Sequence, residues 1–260
     1  MSIIQFSHAN GFPAKTYSVL FEQLKEHTIS AINILGKNTN SNDINYHDLS
    51  DEILESASQF GEPVIGIGHS LGGVLTLLAA AKKPEIFQYI ILLDPPLFSP
   101  YKRFLIKGLR AMKIEDLFSP SGKSKKRRDH FESKSHAKSI FLANKLFKNF
   151  HPQALNDYVI HGLTAGKNDV ELTIPVAKEV AIFHKMLTSF PKNVYKVKGT
   201  LVYAASNPIL WTSDLHWINR KFTGLQVIPF PSSHLFPLEY PESTAQNINR
   251  CLKNFNLRFK

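Results

Sequence analysis

Short apolar runs alternate with longer amphipathic stretches along most of the 260-residue chain. Short apolar runs are typical of buried strands, whereas apolar positions three and four residues apart are typical of helices. The predicted strands are 2–7, 28–35, 63–68, 88–93, 200–204 and 225–230, and the predicted helices are 14–26, 48–60, 71–81 and 241–255. Strands that alternate with helices form βαβ units. The pattern therefore predicts an α/β fold with a mostly parallel sheet of about six strands flanked by helices.

The alternation stops for about 100 residues in the middle of the chain. This stretch has helical periodicity at 101–112, 133–150 and 174–188, and its segment 119–130 is polar and basic. We interpret it as a helical lid, residues 96–190, inserted after the strand that ends at Asp94. The α/β core would then comprise residues 1–95 and 191–260.

The net charge of +10 is concentrated in this predicted lid. Residues 101–150 hold 14 Lys and Arg against 4 Asp and Glu, and the other 210 residues hold 17 of each. One interpretation is that Arg127, Arg128 and neighbouring lysines attract an anionic substrate. The alternative is a solvated loop whose charge aids solubility. Nucleic acid is not an expected partner, because no aromatic residues interleave the basic run 123–128.

Aromatic residues accompany the basic ones in the lid. Phe98, Tyr101, Phe104 and Phe118 either line an acyl pocket beneath the lid or pack the lid against the core. The sequence leaves both interpretations open.

Composition narrows the class of protein further. The chain is 43% hydrophobic and 20% charged, and its single cysteine, Cys251, excludes a disulfide framework and a cysteine-built zinc site. We expect no metal, because no His-x-x-x-His pair lies on a clean helical face and one cysteine cannot build a sulfur site. We expect no cofactor, because the sequence lacks a phosphate-binding glycine loop and a dinucleotide fingerprint. Without a basic leader or an apolar run of about 18 residues, the sequence predicts a cytoplasmic protein with no membrane span. The oligomeric state is left open.

The strongest chemical signal is a Gly-x-Ser-x-Gly motif at residues 68–72. It lies where a predicted strand meets a predicted helix, which is the position of a nucleophile elbow. The serine backbone in such a turn is strained, and glycine on either side avoids collisions with the crossing chain. The motif predicts Ser70 as a nucleophile. The alternative is that Ser70 only caps a helix that tolerates glycine.

A serine nucleophile needs a base, and His234 has the expected place in the chain. It lies between the last predicted strand and the last predicted helix, at the end of the order Ser, Asp, His. The alternative is a loop histidine that caps the last helix. His8 and His69 lie beside the expected active-site backbone, but neither is expected to act as the base.

Three motifs together resemble the α/β-hydrolase superfamily: Ser7-His8-Ala9-Asn10-Gly11-Phe12-Pro13, Gly68-His69-Ser70-Leu71-Gly72-Gly73 and Ser233-His234-Leu235-Phe236-Pro237. The lid runs 126–131 and 157–163 resemble a bacterial branch of small members with a helical lid. The resemblance covers essentially the whole chain and implies an α/β-hydrolase fold with serine chemistry. It also implies an oxyanion hole formed by the backbone N–H of Leu71 and one from the first loop, where Asn10 is favoured over Phe12.

The third member of a triad, the acid, departs from the usual pattern of the superfamily. Most members carry it after the strand that follows the lid, and Asn207 occupies that position here. An amide could orient His234 but could not stabilise the imidazolium that forms in the reaction. Asp94 is similar to the alternative acid site of some lipases and haloalkane dehalogenases, although an Asp there could merely cap the lid entrance. Asp214 is a weaker candidate, because it is expected to open a helix.

These residues predict a serine hydrolase, similar to an esterase, that cleaves an ester or thioester of a small acyl compound. In this prediction Ser70 attacks, His234 is the base and Asp94 is the acid. The amide at Asn207 supports an alternative, a ligand-binding or weakly catalytic relative with an impaired triad.

Overall fold

The computed structural model describes residues 1–258 of the chain. Its strands are β1 (Ile3–Ser7), β2 (Thr28–Ala31), β3 (Val64–His69), β4 (Phe87–Leu93), β5 (His130–Phe131), β6 (Leu163–Ala165), β7 (Val170–Leu172), β8 (Gly199–Ala204) and β9 (Leu225–Phe230). Six of them form a sheet in the order β2-β1-β3-β4-β8-β9, and every neighbouring pair is parallel. The predicted α/β fold with a six-stranded sheet is confirmed.

Helices cover both faces of this sheet. They are α1 (Ser18–Glu22), α2 (Tyr46–Ser58), α3 (Leu71–Lys82), α4 (Pro100–Ala111), α5 (Pro120–Ser124), α6 (Lys134–Ala143), α7 (Pro152–His161), α8 (Val176–His184), α9 (Thr212–Lys221), α10 (Phe236–Glu239) and α11 (Pro241–Arg258). Side chains that alternate along β4 fall in separate apolar clusters, Ile91 with α1 and α11, and Ile90 with α2, α3 and α9. Within residues 1–258, no helix has both the length and the apolar character needed to cross a membrane.

Strand β3 and helix α3 are the most completely buried pair of consecutive elements. All residues of β3 are buried, and so are all residues of α3 except the last. A helix with Leu, Ala and Gly around its whole circumference is stable only when it is covered on all sides. This burial holds the turn between them, which contains Ser70, at the carboxyl edge of the sheet.

The residues between β4 and β8 form helices α4 to α8 and a small antiparallel sheet with the strand order β5-β7-β6. The sequence pattern predicts only helices here, because strands of two or three residues are too short to show a period. Helix α7 is also not predicted, and it begins at Pro152, in the first turn where proline is favourable. The division into a core (1–95 and 191–260) and a lid (96–190) remains a prediction.

Three of the four aromatic residues named for the predicted lid are exposed to solvent. The exposed fractions are 64% for Tyr101, 73% for Phe104 and 70% for Phe118. Both sequence interpretations are therefore wrong for these three, since they neither line a covered pocket nor pack the lid against the core. Phe98 differs, because it is partly buried against one of the core clusters.

Candidate active site

Ser70 lies in a strained turn between β3 and α3. Its φ is 53° and its ψ is −114°, a combination that residues other than glycine seldom adopt. The chain crosses itself closely at this point. A Cβ at Gly68 would lie 2.3 Å from the carbonyl oxygen of Gly72, and a Cβ at Gly72 would lie 2.1 Å from that of Ser7. This is the local geometry expected of a nucleophile elbow.

The ring of His234 lies between two side chains, on the loop that joins β9 to α10. Its Nε2 is 2.9 Å from Oγ of Ser70, and its Nδ1 is 2.6 Å from Oδ2 of Asp94. A carboxylate only accepts hydrogen bonds, so Nδ1 carries the hydrogen and Nε2 accepts from the Ser70 hydroxyl. The side chain of Asp94 is fully buried, whereas 27% of the His234 side chain is exposed, so solvent reaches the site at the histidine.

Glu239 fixes the loop that carries His234. Its carboxylate accepts hydrogen bonds from the hydroxyls of Ser232 at 3.1 Å and Ser233 at 2.8 Å. Glu239 is itself almost fully buried at the end of α10. Two serines that precede the histidine are thus tied to the helix that follows it, which restricts the ring to the neighbourhood of Ser70.

Asp94 follows the last residue of β4, with a positive φ of 46°. Its N–H donates to the carbonyl of Val202 at 2.7 Å, and its Oδ1 accepts the N–H of Ala204 at 3.0 Å. Both partners belong to the neighbouring strand β8. The carboxylate is therefore held in one orientation, with Oδ2 directed at His234.

Neither of the other two candidate acids is hydrogen-bonded to His234. Asn207 lies on an exposed turn with a φ of 57°. Asp214 is fully buried, and its carboxylate accepts the backbone N–H of Ser99 at 2.7 Å and of Trp211 at 2.9 Å. Asp214 thus fastens the beginning of α4 to the beginning of α9, a long-range role that the sequence does not indicate.

Two backbone N–H groups are predicted to form the oxyanion hole. That of Leu71 is in the first turn of α3, where helix N–H groups have no partner within the helix. In the first loop, the N–H of Ala9 donates to the Tyr17 hydroxyl at 3.2 Å, and the N–H of Phe12 donates to the carbonyl of Ala9 at 3.2 Å. Phe12 is disfavoured by that bond, and the assignment of Leu71 and Asn10 remains a prediction.

His8 holds the backbone of the first loop. Its Nδ1 donates to the carbonyl of Ala9 at 2.8 Å, and its Nε2 accepts the N–H of Leu35 at 2.9 Å. Burial lowers the pKa of His8 from 6.5 to about 4, so the ring is neutral near pH 7. A neutral ring with both nitrogens engaged serves structure rather than proton transfer.

A buried chain of hydrogen bonds, which the sequence analysis missed, joins the first loop to the loop of His234. The Tyr17 hydroxyl accepts from the N–H of Ala9 and donates to Nδ1 of His69 at 2.8 Å. Nε2 of His69 donates to the carbonyl of His234 at 2.9 Å. Burial lowers the pKa of His69 well below 6.5, which keeps the ring neutral. The helical spacing of Tyr17 with Leu20 predicts its burial but gives no sign of the hydroxyl's partners.

The predicted lid contacts the first loop through Glu179. The side chain of Asn10 donates to the backbone carbonyl of Glu179 at 2.9 Å, and the Glu179 carboxylate accepts from Arg127 at 2.8 Å. Arg127 also donates to the hydroxyl of Tyr158. The charge of Arg127 is thus already paired with that of Glu179, whereas Arg128 is exposed.

A profile of the alpha/beta hydrolase family matches residues 6–247. The chain belongs to the alpha/beta hydrolase family. This α/β hydrolase is 25% identical to the peroxisomal membrane protein LPX1 of Saccharomyces cerevisiae over 208 residues, which are 74% of this chain and 53% of LPX1. The chain spans about a third to a half of the length of the curated relatives it matches.

Solved structures share the fold over nearly the whole chain. The yeast Lpx1 structure has a TM-score of 0.77 at 17% identity, covering 99% of this chain and 77% of that one. E-2-(acetamidomethylene)succinate hydrolase has a TM-score of 0.76 at 18% identity, covering 97% and 91%. The thioesterase domain from the curacin biosynthetic pathway has a TM-score of 0.74 at 14% identity, covering 96% and 91%. At such identities the likeness establishes the fold and leaves the substrate open.

Proposed function

We propose that this α/β hydrolase is a serine hydrolase that cleaves an ester or thioester of a small acyl compound through an acyl-enzyme. The observation that carries the proposal is the position of His234, with Nε2 2.9 Å from Ser70 Oγ and Nδ1 2.6 Å from Asp94 Oδ2. A nucleophile within hydrogen-bonding distance of a base, which a third group orients in turn, is the arrangement that activates a serine.

In the first half-reaction, Oγ of Ser70 attacks the acyl carbon while Nε2 of His234 accepts the hydroxyl proton. The buried carboxylate of Asp94 stabilises the imidazolium that results. The N–H groups of Leu71 and Asn10 are assigned to the negative oxygen of the tetrahedral intermediate. The imidazolium then donates its proton to the leaving oxygen or sulfur, which departs as an alcohol or a thiol.

In the second half-reaction, water attacks the acyl group on Ser70 and His234 accepts a proton from that water. The second tetrahedral intermediate collapses as His234 returns the proton to Oγ, so a carboxylic acid leaves and the free serine is restored. The partial exposure of His234 fits this step, because the attacking water must reach Nε2. A hydrolase and a thioesterase domain with the same fold support acyl transfer as the reaction class.

Fewer cations of the lid can attract an anionic substrate than the number of basic residues in the sequence suggests. Arg127 is paired with Glu179, so only the exposed cations, among them Lys126 and Arg128, are available for steering. If they steer substrate, kcat/KM for a carboxylate-bearing ester falls with added salt while that for a neutral ester holds. Parallel salt curves would reject steering.

The alternative of a ligand-binding relative with an impaired triad draws on the amide at Asn207. The hydrogen bond between Asp94 and His234 weighs against it, because a carboxylate takes the acid position from another strand. A cytoplasmic location stays part of the proposal, although the yeast relative is named as peroxisomal.

Short-chain p-nitrophenyl esters and acyl thioesters test the proposal directly. We expect the wild type to turn over at least one of the two classes, and Ser70→Ala and His234→Gln to lower kcat by at least about 10³-fold. Ser206→Ala is the matched control, because Ser206 is exposed and lies outside the proposed triad. Hydrolysis that survives in Ser70→Ala would overturn the proposal.

A further inference from the structure

Helix α4 presents its apolar face to solvent. Tyr101, Phe104 and Leu105 are 64%, 73% and 39% exposed, and Met112, directly after the helix, is 69% exposed. Positions separated by three, four and eleven residues lie on one side of a helix. In an ordinary surface helix that side faces the core, so α4 is reversed relative to the usual arrangement.

The inward side of α4 is cationic, and its contacts fix this reversed orientation. Lys102 donates to the carbonyl of Ile209 at 2.7 Å, and Nε of Arg110 donates to Glu115 at 2.9 Å. Arg103 is 9% exposed and lies over the rings of Phe190 and Trp217 at 5.2 Å. Rotating α4 to bury its apolar face would break these bonds and leave three cations without them.

Exposed apolar side chains also follow the helix along the chain. Leu117 and Phe118, in the turn that follows α4, are 76% and 70% exposed. We call the whole surface the lid face; it consists of Tyr101, Phe104, Leu105, Met112, Leu117 and Phe118. Exposed lysines lie in the same segment of chain: Lys107, Lys113, Lys123 and Lys126.

We propose that the lid face docks on an anionic lipid surface, with its apolar side chains among the acyl chains and the exposed lysines at the headgroups. An amphipathic helix with aromatic and aliphatic residues on one side and lysines around it is the chemistry that binds such interfaces. Charge decides against a second copy of the chain as the occupant. The segment 101–126, which contains the lid face, holds 8 Lys and Arg against 2 Asp and Glu, so two copies joined through it would repel, whereas anionic headgroups attract it. The proposal does not depend on Ser70 or on the reaction.

Vesicle co-sedimentation of the whole chain tests this inference. We expect binding to vesicles of equal parts phosphatidylglycerol and phosphatidylcholine, and weak binding to phosphatidylcholine alone. Replacing Phe104 and Met112 together with serine should weaken binding at least about tenfold. Each of Lys107→Gln and Lys113→Gln should weaken it about fivefold, and added salt should act in the same direction.

The control is Leu142→Ser, which removes an apolar side chain that is 60% exposed on α6, outside the lid face. It should bind vesicles as the wild type does. Melting temperatures of all variants should stay near that of the wild type, because exposed side chains contribute little to folding, and this separates lost docking from lost structure. The inference is overturned if the wild type binds neither vesicle, or if Leu142→Ser loses as much binding as the double variant. It is also overturned if the wild type does not bind vesicles but forms a dimer, and the double variant is a monomer.

Discussion

Replacing Asp94 with asparagine keeps the size of the side chain but leaves it a single acceptor oxygen. In the wild type, Oδ1 accepts the N–H of Ala204 and Oδ2 accepts Nδ1–H of His234. The amide oxygen of the variant can serve only one of these donors. The backbone N–H cannot change, whereas an imidazole can move its hydrogen to Nε2. The amide oxygen therefore stays with Ala204, and the amide NH₂ donates to Nδ1 of His234.

In that arrangement Nε2 carries the hydrogen and cannot accept the proton of Ser70. The same defect in a serine-protease triad lowers kcat about 10⁴-fold. That factor corresponds to about 5 kcal/mol of lost transition-state stabilisation. The fold should lose little free energy of unfolding, because every polar atom around residue 94 keeps a partner.

The assay is kcat on a p-nitrophenyl ester together with the melting temperature, for Asp94→Asn and for Asp214→Asn as its matched control. Asp214 is also a fully buried carboxylate that accepts two backbone N–H groups, those of Ser99 and Trp211. A backbone N–H can only donate, and the asparagine of the variant has a single acceptor oxygen. One of the two N–H groups therefore loses its acceptor. We expect Asp214→Asn to cost about 1–3 kcal/mol of stability and to lower the melting temperature by about 2–10 °C, with kcat of the folded enzyme nearly unchanged.

Asp94→Asn should therefore lose turnover, whereas Asp214→Asn should lose stability. The reasoning is refuted if Asp94→Asn lowers kcat by less than about tenfold. It is equally refuted if both variants lose activity in proportion to their loss of stability.

Three further predictions concern the groups around the site. Tyr17→Phe removes the hydroxyl that donates to His69. It should lower the free energy of unfolding in urea by about 1–3 kcal/mol, and it should also lower kcat. If neither quantity changes, the hydroxyl does not stabilise the two loops. His8 has its pKa lowered from 6.5 to about 4, so between these pH values the unfolded chain binds a proton that the folded chain does not. The stability that His8 contributes is complete above pH 6.5 and decreases by about 3 kcal/mol as the pH falls to 4. His8→Asn should flatten this dependence of the free energy of unfolding on pH, measured by urea unfolding at several pH values. The same pH dependence in the wild type and the variant would contradict this. Gly72→Ala places a Cβ 2.1 Å from the carbonyl oxygen of Ser7 and should cost about 3 kcal/mol or more; a melting temperature like that of the wild type would count against the close crossing.

The sheet and the turn at Ser70 could be predicted because their signals are local. A buried strand followed by an apolar helix shows in hydrophobicity, and the glycines at 68 and 72 record how closely the chain crosses itself. Asp94 could be named because it ends a strand next to that of the nucleophile. Choosing it over Asn207 required the distance to His234, which no spacing along the chain contains.

The contacts that the sequence analysis missed are long-range or depend on single polar atoms. Tyr17 looks like a core residue by its helical spacing, and the partners of its hydroxyl lie on other loops. Asp214 could be expected to open α9, but its bond to Ser99 joins residues 115 positions apart. The usual rule, that the apolar face of a surface helix packs on the core, gives the wrong orientation for α4. A periodic apolar face indicates a helix without indicating what covers that face.

Intact-mass labelling with a fluorophosphonate tests the central claim most directly, because an activated serine hydroxyl displaces fluoride from this reagent and stays covalently labelled. We predict rapid addition of one label to the wild type and to Ser206→Ala, none to Ser70→Ala, and slow addition to Asp94→Asn. Failure of the folded wild type to react, or equal labelling of Ser70→Ala, would contradict the assignment of Ser70, His234 and Asp94 as the catalytic residues.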